Sequence, residues 1–438
     1  MNKKPRTPTH EKTLGAFVIH PEIRELGHSS AYDPQFKLEE AIGLAQAIQL
    51  DVTHQDIINL KRPQANTLFG KGTVSRIFEL TKASPPQVII INHPLSPIQQ
   101  RNLEKAWGVK VIDRTGLILE IFGDRAQTTE GRLQVELATL SYQRSRLVRS
   151  WTHLERQRGG LGAMGGPGET QLEVDRRLID ERLSRLKSQL KSVTKSREIQ
   201  RRARMRVPYP TVALVGYTNA GKSTLFNALT ESDVFTKDLL FATLDPKMTS
   251  LKLSSGQKII LSDTVGFISD LPTQLIASFR ATLEEVISAD LILHVRDIST
   301  PYTQQQKKDV ETILQDLGAY KKTKILEVLN KVDLLEKPLD EDIPGTQYSV
   351  SVSALQKQGL KTLCDKICQI FSRFSRTFEA DIPYSEAEAV AWLYEHGDII
   401  KRENFDTETY IMARLTDTQK AHFHERFPQI PLKQPAEA

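Results

Sequence analysis

At 438 residues, 39% of them hydrophobic and 26% charged, the chain exceeds what one ordinary core organises and has the composition of a soluble globular protein rather than a disordered one. No stretch approaches the roughly 20 apolar residues of a membrane span, Met1 to His10 is basic and polar without the apolar core of a signal peptide, and two cysteines are too few for a disulfide scaffold, which leaves the cytoplasm as the expected location. The net charge of +5 is uneven: residues 125–206 carry 19 Lys/Arg against 9 Asp/Glu, a net of +10, so the remainder stands at −5.

Residues 1–124 alternate short apolar runs with helical patterns: Phe17 to Ile19, Leu38 to Leu50, Thr73 to Thr81, Val88 to Ile91, Gln99 to Trp107 and Val109 to Ile112. That alternation predicts an α/β domain. Its Gly70-Lys71-Gly72 lacks the rest of a phosphate loop and reads as a turn entering the next helix.

Residues 125–206 hold two long helical repeats, one through Leu133, Leu137, Leu140, Leu147, Trp151 and Leu154, the other through Leu172, Ile179, Leu183, Leu186, Leu190 and Val193. Spacings of three, four and seven predict an antiparallel helical hairpin packed along that seam, each arm roughly 40 to 50 Å long at about 1.5 Å per residue. Its tip, Gly159 to Gly168, has six glycines, including Gly159, Gly160, Gly165 and Gly166, and is approached through Arg156 and Arg158. Glycine lets backbone come close to another surface, and the surplus of cations favours a polyanion, so the tip suits insertion into structured RNA; a plain flexible connector is the competing reading.

Residues 207–372 carry the chemistry. Gly216, Tyr217, Thr218, Asn219, Ala220, Gly221, Lys222, Ser223 and Thr224 follow the β-like run Val212 to Val215. A Gly-x4-Gly-Lys-Ser loop between strand and helix turns its N–H groups around phosphates, leaves the lysine for the β/γ oxygens and offers the serine hydroxyl to Mg2+. Asn330, Lys331, Val332 and Asp333 follow a second β-like run, and a carboxylate at Asp333 accepts from both the ring N–H and the exocyclic amine of guanine. Adenine has no matching donor pair, and an unpaired buried acceptor costs roughly 1 to 3 kcal/mol, so the tetrad selects GTP over ATP. Between them stand Asp263, Thr264, Val265 and Gly266 at a strand end, and a loop of Phe241, Ala242, Thr243, Leu244 and Asp245 whose threonine hydroxyl can complete a metal shell. Ser353, Ala354 and Leu355 follow another β-like stretch and would back the guanine O6. Cys364 and Cys368 read as small core residues and His294 as a sheet residue rather than a catalyst. Residues 373–438 predict a small α/β domain, with a helix over Ser385 to His396 and strands over Asp398 to Arg402 and Glu408 to Leu415.

The glycine-rich tip running into Glu169 to Glu173, preceded by Val111 to Thr115 and Gln134 to Leu137 and followed by the GTP motifs and the Asp381 to Ser385 region, resembles the HflX family of ribosome-associated GTPases over nearly the whole chain. The resemblance implies GTP hydrolysis, binding to the large ribosomal subunit and its rRNA, and dissociation or rescue of stalled or idle ribosomes. Mapped by motif, it implies Lys222, Thr243, Gly266 and Asn219 as catalytic positions, and Ser223, Thr243 and, through a water, Asp263 around Mg2+. Asn330 and Asp333 select the base, Lys331 packs along it, and the hairpin tip contacts rRNA. Asn219 further resembles the asparagine with which potassium-activated GTPases hold K+ beside the β/γ oxygens; a local backbone cap is the alternative. Phe267 stands where Ras-like switches carry a water-orienting glutamine, so hydrolysis should be slow alone and stimulated by the ribosome. The expected assembly is a monomer. A GTP-controlled module engaging a protein effector through the hairpin, or a ribosome assembly factor, are the competing functions.

Overall fold

The computed structural model describes residues 14–23, 31–157, 171–204, 209–230, 240–241, 243, 247–254, 257–269, 280–319, 323–335, 349–372 and 375–435. They form two compact units, one built from residues up to 189 together with Leu240 and Phe241, the other from the remainder. The hairpin tip Arg158 to Gly168 and the loop residues Ala242, Leu244 and Asp245 lie outside the described residues.

In the first unit the chain runs β1 (Leu14–Ile23), α1 (Pro34–Ala47), β2 (Leu50–Leu60), α2 (Lys71–Ala83), β3 (Val88–Ile91), α3 (Pro97–Trp107), β4 (Lys110–Asp113), α4 (Arg114–Arg125), α5 (Thr129–Gln157) and α6 (Gln171–Arg204), the last continuing beyond the unit. The four strands form a parallel sheet in the order β2-β1-β3-β4. Central β3, Val-Ile-Ile-Ile, is buried along its length, as a strand covered on both faces requires. Phe17, Ile19, Phe69, Ile89, Leu103, Trp107 and Val111 pack the core.

Two elements of this unit are absent from the sequence expectation. The helix predicted to reach Leu50 stops at Ala47, Gln49 takes a left-handed φ of 61°, and Leu50 opens edge strand β2. Its Asp-Val-Thr-His-Gln-Asp segment alternates exposed and half-buried positions and carries too few apolar residues to announce itself. Helix α4 begins directly after β4 because Asp113 caps it, accepting from the Gly116 N–H at 2.8 Å.

Asp113 also accepts from the Leu95 N–H at 3.1 Å, the Tyr142 hydroxyl at 2.6 Å and Arg146 at 3.2 Å, which ties α5 to the sheet end. That anchoring decides which face of α5 is covered: Glu130, Gln134, Val135 and Ala138 are buried, while Leu133, Leu137, Leu140 and Leu147 of the predicted seam are only half-buried. On α6 the seam residues Leu183 and Leu186 are buried, and two ion pairs, Arg144 to Asp180 at 2.6 Å and Arg182 to Glu136 at 2.7 Å, also link α5 to α6.

The second unit continues with β5 (Thr211–Val215), α7 (Lys222–Thr230), β6 (Lys247–Lys252), β7 (Lys258–Asp263), α8 (Arg280–Ile287), β8 (Leu291–Asp297), α9 (Thr303–Asp316), β9 (Lys324–Asn330), β10 (Ser349–Ser351) and α10 (Leu360–Ser372). Their sheet has the order β10-β9-β8-β5-β7-β6, parallel except for β6, a polar edge strand that the sequence reading passed over. Cys364 and Cys368 sit on α10, half-buried against the core of this sheet. The parallel strands end on one side, and the loops after β5, β7, β8 and β9 converge there.

A small domain follows: β11 (Ser375–Pro383), α11 (Ala387–His396), β12 (Asp398–Asn404), β13 (Glu408–Thr416) and α12 (Asp417–Arg426). The sheet is antiparallel in the order β11-β13-β12, with Phe378, Ile382, Trp392, Leu393, Ile411, Leu415, Phe423 and Phe427 in its core.

Candidate functional site

The loop from Gly216 to Gly221 joins β5 to α7 and is shaped by backbone that only small residues permit. A Cβ on Gly221, whose φ is 90°, would meet the Asn330 Nδ2 at 2.2 Å, and one on Gly266 would sit 2.9 Å from the Thr218 methyl and 3.0 Å from the Lys222 Nζ. Inside the loop the Lys222 ammonium donates to the carbonyls of Gly216 at 3.1 Å and Tyr217 at 2.7 Å. Burial lowers its pKa to about 8, against the opposing pull of the Asp263 carboxylate.

Beside it three oxygens close on one another. The Ser223 hydroxyl is 2.9 Å from the Thr243 hydroxyl, and both reach the Asp263 Oδ2, at 2.7 and 3.0 Å. Burial raises the pKa of Asp263, while the Ser223 hydroxyl, Lys222 and Thr243 pull the other way. Its second oxygen, Oδ1, is buried without a hydrogen-bond partner. A carboxylate and two hydroxyls are hard donors that fit Mg2+ and not a soft metal. Among the described residues no group of three His, Cys, Asp or Glu side chains could hold a metal.

The Asp263 to Gly266 segment is fastened to the phosphate loop by backbone. Thr264 donates its hydroxyl to the Leu214 carbonyl at 2.5 Å, the Phe267 N–H donates to the Gly216 carbonyl at 3.1 Å, and the Thr218 N–H donates to the Phe267 carbonyl at 2.6 Å. The Phe267 ring is buried at 1% exposure. Tyr217 is also structural, its hydroxyl accepting from the Ser269 N–H at 2.9 Å. Asn219 is exposed with a φ of 60°, a left-handed position that asparagine tolerates well. Val265 and Ala220 are buried, and Thr224 is half-buried on the first turn of α7.

The Asn330 to Asp333 tetrad follows β9. Asn330 is 2% exposed, and both ends of its amide are engaged by protein backbone: Nδ2 donates to the Ala220 carbonyl at 2.8 Å and Oδ1 accepts from the Ala354 N–H at 3.0 Å. It stitches the phosphate loop to the Ser353–Ala354 loop. Lys331 adopts a φ of 67°, and Val332 and Asp333 form a single 3-10 turn with Leu334. Ser353 and Ala354 are buried, with the Ser353 Oγ accepting from the Gln356 N–H at 3.1 Å, but Leu355 is 77% exposed. Phe241 is placed in the first unit, its ring edge-on to Phe122 with centroids 4.8 Å apart.

Sequence reasoning missed Asp297. It ends β8, in register with Asn330, and its Oδ2 lies 2.8 Å from the Lys331 Nζ while Oδ1 accepts from the Ser299 N–H and hydroxyl at 3.0 and 2.6 Å. No local signal announces that pairing, since the partner is on the neighbouring strand. His294, also on β8, is buried, and burial lowers its pKa to about 3, so it is a neutral sheet residue at neutral pH.

Four family models match in series: "GTP-binding GTPase N-terminal" over residues 35–123, "GTP-binding GTPase Middle Region" over 125–204, "50S ribosome-binding GTPase" over 211–331 and "HflX C-terminal domain" over 339–437. The chain is 48% identical to a GTPase HflX of Magnetococcus marinus over 378 residues, covering 86% of this chain and 87% of that one. It is 47% identical to the GTPase HflX of Escherichia coli over 315 residues, 71% of this chain and 74% of that one. A putative GTP-binding protein 6 of Xenopus laevis is 36% identical over 417 residues, 93% of this chain and 78% of that one.

Proposed function

The chain belongs to the HflX family of GTPases, and from that premise we propose that it binds the large ribosomal subunit and uses GTP binding and hydrolysis to dissociate or rescue stalled and idle ribosomes. The observation that carries the reading is the pairing of a built phosphate site with an incomplete hydrolytic one. Lys222, Ser223, Thr243 and Asp263 converge, yet Phe267 turns its ring into the core and offers no side-chain group to an attacking water.

In this reading Lys222 serves the β/γ oxygens, the Gly266 N–H faces the γ-phosphate, and Ser223, Thr243 and, through a water, Asp263 would hold Mg2+. When bound there, the metal would supply charge neutralisation to the phosphates. Asp333 accepts from guanine, and Lys331, steadied by Asp297, lies along the base. Hydrolysis is slow alone, and the ribosome supplies the missing stabilisation, which in trans is worth about 10^3 to 10^5 in rate. The basic arms and the glycine-rich tip, with Arg156, Arg158 and Gly159 to Gly168, meet rRNA. Asn219, exposed on the loop, contributes to a K+ site beside the phosphates.

One set of assays tests this. GTP turnover is measured with and without purified large subunits, in K+ and in Na+ at equal ionic strength, and intact ribosomes are sedimented with a GTP analogue or GDP. Expected are stimulation of at least about 10^3 by large subunits, faster turnover in K+, and subunit separation with the GTP form alone. Turnover indifferent to large subunits would overturn the ribosome reading. Equal rates in both salts would remove the K+ site while leaving the rest intact.

A further inference from the structure

Phe267 fails an attacking water through its backbone as well as its ring. Its N–H donates to the Gly216 carbonyl at 3.1 Å, and its carbonyl already accepts from the Thr218 N–H at 2.6 Å. Ile268, next along, is apolar and 1% exposed. A side chain that orients the water has to come from another element.

The phosphate loop holds such a group. Thr218 is 7% exposed, and its Oγ1 is buried without a hydrogen-bond partner among the described residues. Other hydroxyls of the site are bonded: Thr264 donates to the Leu214 carbonyl, and Ser223 and Thr243 both reach the Asp263 Oδ2. Buried hydroxyls are nearly always satisfied, so the exception calls for a partner that arrives with the ligand.

Position and chemistry define that partner. A Cβ on Gly266 would lie 2.9 Å from the Thr218 methyl, 3.1 Å from the Thr218 Cα and 3.0 Å from the Lys222 Nζ, so Thr218 and Lys222 meet Gly266 at one point. Methyl and hydroxyl share one Cβ, and a β-branched side chain is stiff, so packing of the methyl on Gly266 also sets the hydroxyl. The Lys222 ammonium and the Gly266 N–H can only donate, whereas a water aimed at phosphorus has to give a hydrogen to an acceptor. Thr218 Oγ1 both accepts and donates. The other open buried acceptor, Asp263 Oδ1, belongs to the cluster with Ser223 and Thr243.

We propose that the Thr218 hydroxyl orients the attacking water, accepting a hydrogen bond from it and donating its own hydrogen to a γ-phosphoryl oxygen. The water oxygen bonds to the γ-phosphorus, the bond from that phosphorus to the β/γ bridging oxygen breaks, and the bridging oxygen leaves with the electron pair as part of GDP. One water hydrogen stays on the new P–OH, the other passes to a phosphate oxygen, and Thr218 ends protonated as it began. The inference rests on the GTPase reading and does not require the ribosome.

The test uses the full chain with Thr218→Val, which keeps the shape and removes the hydroxyl, and Thr218→Ser, which keeps the hydroxyl. Single-turnover GTP hydrolysis is followed with and without purified large subunits, beside melting temperature and affinities for GDP and a non-hydrolysable GTP analogue. For Thr218→Val, hydrolysis should slow about tenfold or more in both conditions while nucleotide affinities hold. Its melting temperature should equal or exceed that of the parent, because an unpartnered hydroxyl has been removed. Thr218→Ser should stay within about threefold of the parent rate. Hydrolysis by Thr218→Val at the parent rate, or Thr218→Ser as slow as Thr218→Val, overturns the proposal. So does a loss of analogue affinity that matches the rate loss, which would put the hydroxyl on the ground-state phosphate, or a lowered melting temperature, which would mean that it is bonded within the loop. The ribosome reading is judged separately, by whether large subunits stimulate the parent protein.

Discussion

Phe267 carries more of the functional reading than any motif residue, because of what it lacks. Its place after Asp263 to Gly266 marks a missing glutamine, and its burial shows that the ring belongs to the core. Restoring a glutamine therefore should not restore water positioning. Phe267→Gln is expected to cost roughly 3 kcal/mol or more in stability, since a large ring is lost and an amide is buried without built-in partners. Urea unfolding should show that loss while single-turnover hydrolysis stays slow; a folded variant hydrolysing about tenfold faster would mean that the side chain reaches the phosphates after all. Asn330 teaches a related lesson. Its place in the tetrad suggests base recognition, and in the fold its amide also donates to the Ala220 carbonyl and accepts from the Ala354 N–H.

Strands and helices decide which of these residues meet. Parallel pairing of β8 with β9 sets Asp297 opposite Asn330, and this register brings the Asp297 carboxylate to the Lys331 ammonium at 2.8 Å. Both side chains are partly buried, 17% and 25% exposed, so the pair restrains the lysine more than a surface ion pair would. Asp297→Asn retains an acceptor for the Ser299 N–H and hydroxyl but removes the charge. GTP and GDP affinity should fall by about three- to tenfold, and in a double-mutant cycle the loss should vanish on a Lys331→Ala background. Additive losses in calorimetric titrations would show that Asp297 acts through the loop and not the lysine. Elsewhere the elements explain what eluded the sequence: β2 and β6 are polar edge strands, whose alternation is weak because one face and one edge meet solvent, whereas β3, β5 and β8 are buried and read as plain apolar runs. For α5 the seam was visible but its rank was not, since Asp113, Tyr142 and Arg146 turn another face inward.

For the molecule as a whole, charge is divided between regions of opposite sign. The 125–206 segment carries +10 and the rest −5. If the basic arms meet rRNA, cosedimentation of the GTP-analogue form with large subunits should weaken steeply as salt rises, with a log–log slope on the order of several released counterions. A flat salt series would remove rRNA as the main contact and favour a protein effector for the hairpin. No helix among the described residues is long and apolar enough to cross a membrane.

What the sequence by itself determined is everything written in short-range spacing: the phosphate loop, the Asp263 to Gly266 segment, the guanine tetrad, the helical arms and the alternation of the N-terminal domain. Those signals are local because phosphate cradles, caps and periodic faces are built from neighbouring residues. Only the tertiary structure decided that Phe267 faces inward, that Asn330 joins two loops and that Asp297 holds Lys331. Each of these depends on strand order or on how a side chain packs against residues distant in the chain, which linear spacing does not encode.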